Sequence, residues 1–458
     1  MTRDSIPRPI SRRRALQGAA ATTAAWVGGL AAPMLNTVTA YSQSGAFNWQ
    51  RFKGQTVEVL METGPRADLM KKYQKEFLDQ TGIKLGIEVI PEQQARQKVA
   101  IELNSGKPSF DVFNFAFHVQ KRQFEKAGWL QDLSPWLKDS QMMPAEYELG
   151  DVSKMGMGFA TTSDGQINAL PILCDYFMVY YNKELFAKKG VAFPKTMDEM
   201  MAAAAKLHDP ANGIAGFVGR GVRNANVVLW TQLLSGWGQE TISRTKPLTL
   251  LTDTPDAIAA AEYYKKMLAS YGPQGVTGFN WNEAQGLFMQ GKAAMWVDAT
   301  GFAAPVEDKT KSRVVGKVGY GLPPSGPKGH GSVTFGTGMA VPKAAAHKEA
   351  GYFTMLWMTG RAMAGRMMQV GGGIPFRTAP LKDPAILSTL TVPKEWADCA
   401  AGCAPLSMSG LPVIVPVTEF RDVIGTALTN LLGGADAATE MKRATAEFKP
   451  VLDKSEAA

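Results

Sequence analysis

This chain is short of the residues that most often announce chemistry. Only four histidines occur in 458 residues, His118, His208, His330 and His347, and they are scattered. No His-Glu-x-x-His helix motif and no Gly-x-Ser-x-Gly nucleophile elbow is present. Zinc hydrolysis and serpentine-turn serine chemistry therefore have no carrier. Cysteine is scarce too, at three. Cys399 and Cys403 stand four apart, and in an exported protein they either close a small disulfide loop or remain two thiols. With no second cysteine pair and no histidine nearby, they do not read as a zinc site. Cys174 is left over and reads as a small buried apolar residue. Lysine and arginine form no block, so nothing supports nucleic-acid binding. Low-complexity tracts are absent, and beyond the N-terminus there is no long apolar run.

What is present begins with an export signal. Ser11-Arg12-Arg13-Arg14-Ala15-Leu16 reads as a twin-arginine motif, although Ala15 stands where an aromatic is preferred, which leaves Sec export as the alternative route. An alanine-rich stretch follows, then Val38-Thr39-Ala40, a small-residue cleavage site. Residues 1–40 are read as this signal, and the mature chain is expected to start at Tyr41. The stretch holds Thr22, Thr23, Gly28 and Gly29, too weakly apolar for a span that needs about 20 strongly apolar residues. Five arginines and one aspartate leave with it, so the formal charge falls from +8 to +4. The length exceeds one ordinary core, which predicts two lobes.

Residues 55 to 115 alternate strand and helix patterns, β-α-β-α-β. Thr56–Met61 is strand-like, Asp68–Gln80 has helical spacing stopped by Gly82, and Ile83–Ile90 is a strand ended by Pro91. Gln93–Leu103 is a helix and Phe110–Phe113 a third strand. Such units build parallel sheets whose ligands sit beyond the strands' carboxyl ends. That singles out Glu62-Thr63-Gly64-Pro65-Arg66 and Asn114-Phe115-Ala116-Phe117-His118. Farther on, Thr196-Met197-Asp198-Glu199 is a capping box. Gly286–Ala293 imitates a phosphate-binding loop, but no Ser/Thr follows Lys292 and the stretch precedes a strand.

The organising stretch is Gly165–Phe186, GQINALPILCDYFMVYYNKELF. Pro171 holds Leu170 extended, a run rich in aromatic and β-branched residues follows, and Asn182-Lys183-Glu184-Leu185-Phe186 opens a helix. This pattern resembles the first interlobe strand of the family 1 extracellular solute-binding proteins of ABC importers, the maltose-binding-protein-like group. NEAQGLFMQGKAAMWVDATGF (282–302) resembles the family's Gly-Lys-Ala-Ala-Met crossing, Thr334–Val341 a third crossing, and Gly371–Arg377 the Gly-x-Pro-x-Arg turn.

The resemblance implies an α/β protein with the two-lobe periplasmic binding protein fold of class II type. Each lobe would be a mainly parallel sheet flanked by helices, joined by three crossings. It implies an N-lobe of 46–169 and 299–335 and a C-lobe of 170–298 and 336–458. It implies a periplasmic, non-enzymatic, monomeric component of an ABC transporter that needs no cofactor or metal, binds a carbohydrate or polyol and delivers it to the inner-membrane permease. The ligand-binding residues it points to are Glu62, Arg66, Asn114, Phe115, Phe117, Asp175, Tyr176, Trp296, Asp298, Gly336, Thr337 and Arg377. Trp296 and Asp298, two apart in a strand, would share a face, one stacking on a sugar ring and one accepting from its hydroxyls. Two alternatives remain open: an anionic solute such as glycerol 3-phosphate clamped by Arg66 and Arg377, and a secreted glycan-active enzyme with distant paired carboxylates.

Overall fold

The computed structural model describes residues 46–243, 245 and 247–456. The expected export signal and the Tyr41 start lie outside the described residues. Among the described residues there are ten strands: β1 (Thr56–Glu62), β2 (Lys84–Ile90), β3 (Val112–Ala116), β4 (Leu170–Asn182), β5 (Ala215–Val218), β6 (Ala293–Ala299), β7 (Val318–Gly321), β8 (Ser332–Ala340), β9 (Ile374–Pro375) and β10 (Ser407–Ser409).

The opening β-α-β-α-β reading holds. β1 pairs in parallel with β2 and with β3. Between them run helices Pro65–Thr81 and Glu92–Ser105. Pro65 sits at the first helical turn, where its missing N–H costs nothing, and Gly82 ends that helix at φ 68°. Asn182 caps helix Lys183–Lys189 by accepting from the N–H groups of Glu184 and Leu185. Thr196 caps the next helix through Glu199 N–H, while the Glu199 carboxylate reaches one residue further back, to Lys195 N–H.

β4 is the spine. Its first half, Leu170–Tyr176, pairs antiparallel with β8, and its second half, Phe177–Asn182, pairs with β6 and β7. The register shifts between Pro171 and Leu173, where proline has no N–H to give. The strand order is β2-β1-β3-β8-β4-β6-β5. Thus one end of β4 belongs with β1–β3 and the other with β5–β7. β8 runs antiparallel to both its neighbours β3 and β4, so the sheet is mixed, not mainly parallel.

β6 runs back along β4, but the chain turns at Thr300 and returns as β7, which pairs with the same distal half of β4. Residues 299–331 therefore pack with the β5–β7 side. The return crossing is β8: the Ser332 hydroxyl donates to the Phe177 carbonyl, and Ala340 lies opposite Phe113 of β3. After it, helix Lys348–Met358 packs on β1 and β3, and helix Arg361–Gln369 packs on Pro65–Thr81. Helix Lys394–Cys403 then rejoins β4 and β7. A strand motif announces a strand; only its hydrogen-bonded neighbours assign it to a side.

Among the described residues, three apolar clusters form the core, and one of them joins Phe113 and Phe115 to Tyr180 and Trp296. Val57, Met70, Phe77, Phe353 and Trp357 fill another. Trp230, Tyr264, Met295, Phe420 and Phe448 fill the third, under the closing helices Val417–Leu432 and Ala437–Glu456. Cys399 and Cys403 lie on one helix and both thiols are free, so the bridged alternative is not the one found. The Cys403 thiol instead donates to the Phe177 carbonyl at 3.5 Å. Among the described residues, no helix is long and apolar enough to cross a membrane.

Candidate functional site

A cavity of about 100 Å³ lies at the carboxyl ends of β1 and β3, facing residues that follow β5 and β6. Glu62 ends β1. Gly64 (φ 144°) turns the chain in a conformation open to glycine, and Arg66 follows on the first helical turn. Asn114, at the corresponding place on β3, accepts from Glu62 N–H at 2.7 Å and donates from Nδ2 to the Glu62 carboxylate at 3.2 Å. It stands behind Glu62 and orients it.

The charged groups form a chain. Glu62 lies 3.7 Å from Arg66 and 3.6 Å from Arg96. Arg96 pairs at 2.5 Å with Glu92 on the same helix. The Glu92 carboxylate accepts from the Trp281 indole N–H at 3.0 Å. Asp175, from β4, accepts from Gly301 N–H at 2.8 Å and from the Thr300 hydroxyl at 3.2 Å. Arg220, just beyond β5, makes a two-point pair with Asp298 and lies over the Phe177 and Phe302 rings. His118 rests edge-on against Phe335, and Thr337 of β8 completes the wall.

Three carboxylates, Glu62, Glu92 and Asp175, thus face three guanidinium groups, Arg66, Arg96 and Arg220. Burial pushes the Glu62 pKa up, outweighing the pull of Arg96 and Arg66. Burial also raises Asp175 against Arg66. For Glu92 burial acts in the same direction, but Arg96, Arg220 and Arg421 outweigh it and bring the carboxyl down to about 2. Burial, with Arg96 and Arg421 near, holds His118 well below the ordinary imidazole value and keeps it neutral. Arg421, buried beside like charges, falls to about 9.

Several polar atoms here have no hydrogen-bond partner although buried: Nε of Arg66, Nε and Nη1 of Arg96, and Nδ1 of His118. Buried polar groups are nearly always satisfied, so unpaired polar atoms on residues that line a cavity mark a place for a polar guest.

Of the twelve residues named from sequence, Glu62, Arg66, Asp175 and Thr337 line the cavity. The other eight do not. Asn114 acts through Glu62. Phe115 and Phe117 pack edge to face in the core behind it. The Tyr176 hydroxyl accepts from the Cys174 thiol. Gly336 is hemmed in by Phe117, Phe159 and Phe376. Trp296 has no exposed surface, and its ring lies 4.5 Å from that of Tyr180, tilted by 30°. Asp298, also fully buried, is held by Arg220. Arg377 is 1% exposed, lies over the Tyr147 ring, and donates to the Thr359 and Glu148 carbonyls. Sequence reading missed Glu92, Arg96, Arg220 and Trp281, and singled out the loop that holds His118 without naming that residue as a contact. The carboxyl-end rule applied to β2 and β5 would have found Glu92 and Arg220.

A model of the bacterial extracellular solute-binding proteins matches residues 63–364. The chain belongs to this family. It is similar to the erythritol/L-threitol-binding protein of Mycolicibacterium smegmatis, 27% identical over 96% of this chain and 97% of that one. It is also similar to a probable amino-acid ABC transporter periplasmic-binding protein of Sinorhizobium fredii, 27% identical over 78% of this chain and 82% of that one. A ribitol-bound ABC transporter solute-binding protein from Agrobacterium radiobacter K84 has the same fold, with a TM-score of 0.79 at 24% identity, covering 87% of this chain and 99% of its own. The two-lobe α/β architecture of this solute-binding protein is therefore the family's, and its relatives are binding proteins, not enzymes.

Proposed function

We propose that this solute-binding protein takes a small carbohydrate or polyol into the cavity at Glu62, Arg66, Asp175 and Thr337, and serves an ABC permease. The observation that carries the reading is a wall that mixes carboxylates with guanidinium groups and leaves polar atoms without partners. A sugar hydroxyl donates to a carboxylate and accepts from a guanidinium at once, so a neutral polyhydroxyl compound satisfies both without leaving a net charge. The small cavity favours a solute of a few carbons. The name of the erythritol/L-threitol-binding relative agrees with this. Arg96, Arg220 and His118 join the ligand contacts in this reading.

The anionic alternative is disfavoured by geometry. Asp298 neutralises Arg220, and Arg377 lies outside the cavity. A zwitterionic amino acid would also meet both charge signs, and the Sinorhizobium relative's name favours it as the second reading.

In this reading the mature protein begins at Tyr41 after twin-arginine export, acts as a monomer in the periplasm, and closes its lobes on the solute. The groups of β1 and β3 belong to one lobe, with residues 46–169 and most of 337–387. Arg220 and Trp281 belong to the other. A ligand touching both favours the closed form, and that differential affinity drives closure.

Calorimetry against tetritols, pentitols, hexitols, disaccharides and amino acids tests the reading, with intact mass of exported protein testing the start. Tetritol or pentitol binding is expected. Asp175→Asn should weaken it about ten- to hundredfold through loss of a charged hydrogen bond. Binding of amino acids alone, or turnover of an oligosaccharide, would overturn it.

A further inference from the structure

Beside the inner cavity lies a second, of about 440 Å³, and the two share Gly64, Pro65, Trp281, Gly301 and Phe302. The shared wall is built to stay in place. The Trp281 and Phe302 rings lie parallel, 4.6 Å apart with an interplanar angle of 11°. Phe302 in turn lies 6.1 Å from Trp296, within 16° of parallel, and Trp296 is fully buried. The stack is thus anchored in the core at one end. At the other, the Trp281 indole N–H donates to Glu92. The Gln285 amide donates to the Phe302 carbonyl at 2.9 Å and fixes the backbone between them. Such a stack does not swing aside as a single surface side chain would.

The outer cavity has the chemistry to hold hydroxyl groups. Asp68, Lys72, Gln285, Asp308 and Lys311 line it along with the two aromatic rings. It is the larger of the two, yet the unpaired polar atoms of Arg66, Arg96 and His118 all belong to residues of the inner one.

We propose that Trp281 is a specificity-determining residue that sets the length of the solute. It closes the inner cavity against the outer one, so that a short polyol is enclosed and a disaccharide is stopped at the ring stack. The proposal rests on the polyol reading above. Removing the indole joins the cavities, and the outer one then offers its polar rim to a second sugar unit. It also removes one of the two partners of Glu92, leaving Arg96, so the short solute loses part of its enclosure.

The test measures binding by calorimetry of erythritol, ribitol and the disaccharide alcohol maltitol to the mature wild-type protein, Trp281→Ala and Trp281→Phe. Wild type should bind the short polyols and show a marked drop for maltitol. Trp281→Ala should bind maltitol at least about tenfold more tightly than wild type while losing affinity for erythritol. Trp281→Phe keeps a ring in the wall and should keep the wild-type preference. Should Trp281→Ala fail to fold by circular dichroism, Phe302→Leu carries the same expectation. Wild type binding maltitol as tightly as ribitol, or no gain for maltitol in the folded variants, would overturn the proposal while leaving short-polyol binding standing. Wild type binding no polyol at all would overturn both readings.

Discussion

Arg220 and Asp298, 78 residues apart, form a two-point ion pair: Nε to Oδ2 at 2.9 Å and Nη2 to Oδ1 at 2.5 Å. The aspartate is fully buried and the arginine borders the cavity. Asp298 therefore acts on the site by placing Arg220. Asp298→Asn leaves the guanidinium buried without its counter-charge, which costs about 3–5 kcal/mol. The expected outcome is a clear fall in the denaturant midpoint of ligand-free protein. Unchanged apo stability with weakened binding would return Asp298 to a direct ligand contact.

Arg377 should behave as a structural residue. Its guanidinium ties two segments, through the Thr359 carbonyl at 2.7 Å, and through the Glu148 carbonyl at 3.3 Å and Asp151 at 3.5 Å in one turn. Arg377→Met removes these and leaves two carbonyls and a carboxylate to find new partners, a loss of at least about 3 kcal/mol. Chemical denaturation should show it, and calorimetry on the remaining folded protein should give wild-type affinity. Lost affinity without lost stability would contradict this placement.

His118 gives stability a slope near neutral pH. Its folded-state pKa lies well below the ordinary 6.5 because of burial and the nearby Arg96 and Arg421. Below 6.5 the unfolded chain binds a proton that the folded chain refuses, so stability is lost as pH falls, by at most about 1.4 kcal/mol per unit. Glu92 adds its own loss lower down, between its ordinary 4.5 and about 2. Denaturant titrations from about pH 7.5 to about pH 5 should show a decline that His118→Gln flattens. An equal decline in the variant would place the titrating group elsewhere.

The three cysteines should all count as thiols. Burial raises Cys174 to about 12, and Cys399 is raised by its neighbour Cys403 and by burial. The native protein should therefore react slowly with iodoacetamide at neutral pH, since the thiolate is the nucleophile. Denatured without reductant, it should gain three alkyl groups by mass. A gain of one would mean that Cys399 and Cys403 are joined.

What the sequence determined by itself was local and periodic. Pro65 and Gly82 bound a helix, Asn182 caps one, and Ile172–Tyr181 is a strand, because each follows from the preferences of a few adjacent residues. The carboxyl-end rule placed Glu62 and Arg66 at a cavity, because the position of a βα turn in a parallel unit follows from the order of elements. The tertiary structure decided everything that depends on partners far along the chain. Asp298 and Asp175 are both aspartates in buried strands, yet one meets Arg220 and the other faces the cavity. Trp296 and Trp281 are both tryptophans near the same motif, yet one is sealed in the core and the other borders the cavity. Side-chain pattern says which face of a strand is buried, but not what lies opposite. That depends on how β4, β6 and β8 are laid beside one another, and their pairing is settled by contacts more than a hundred residues apart.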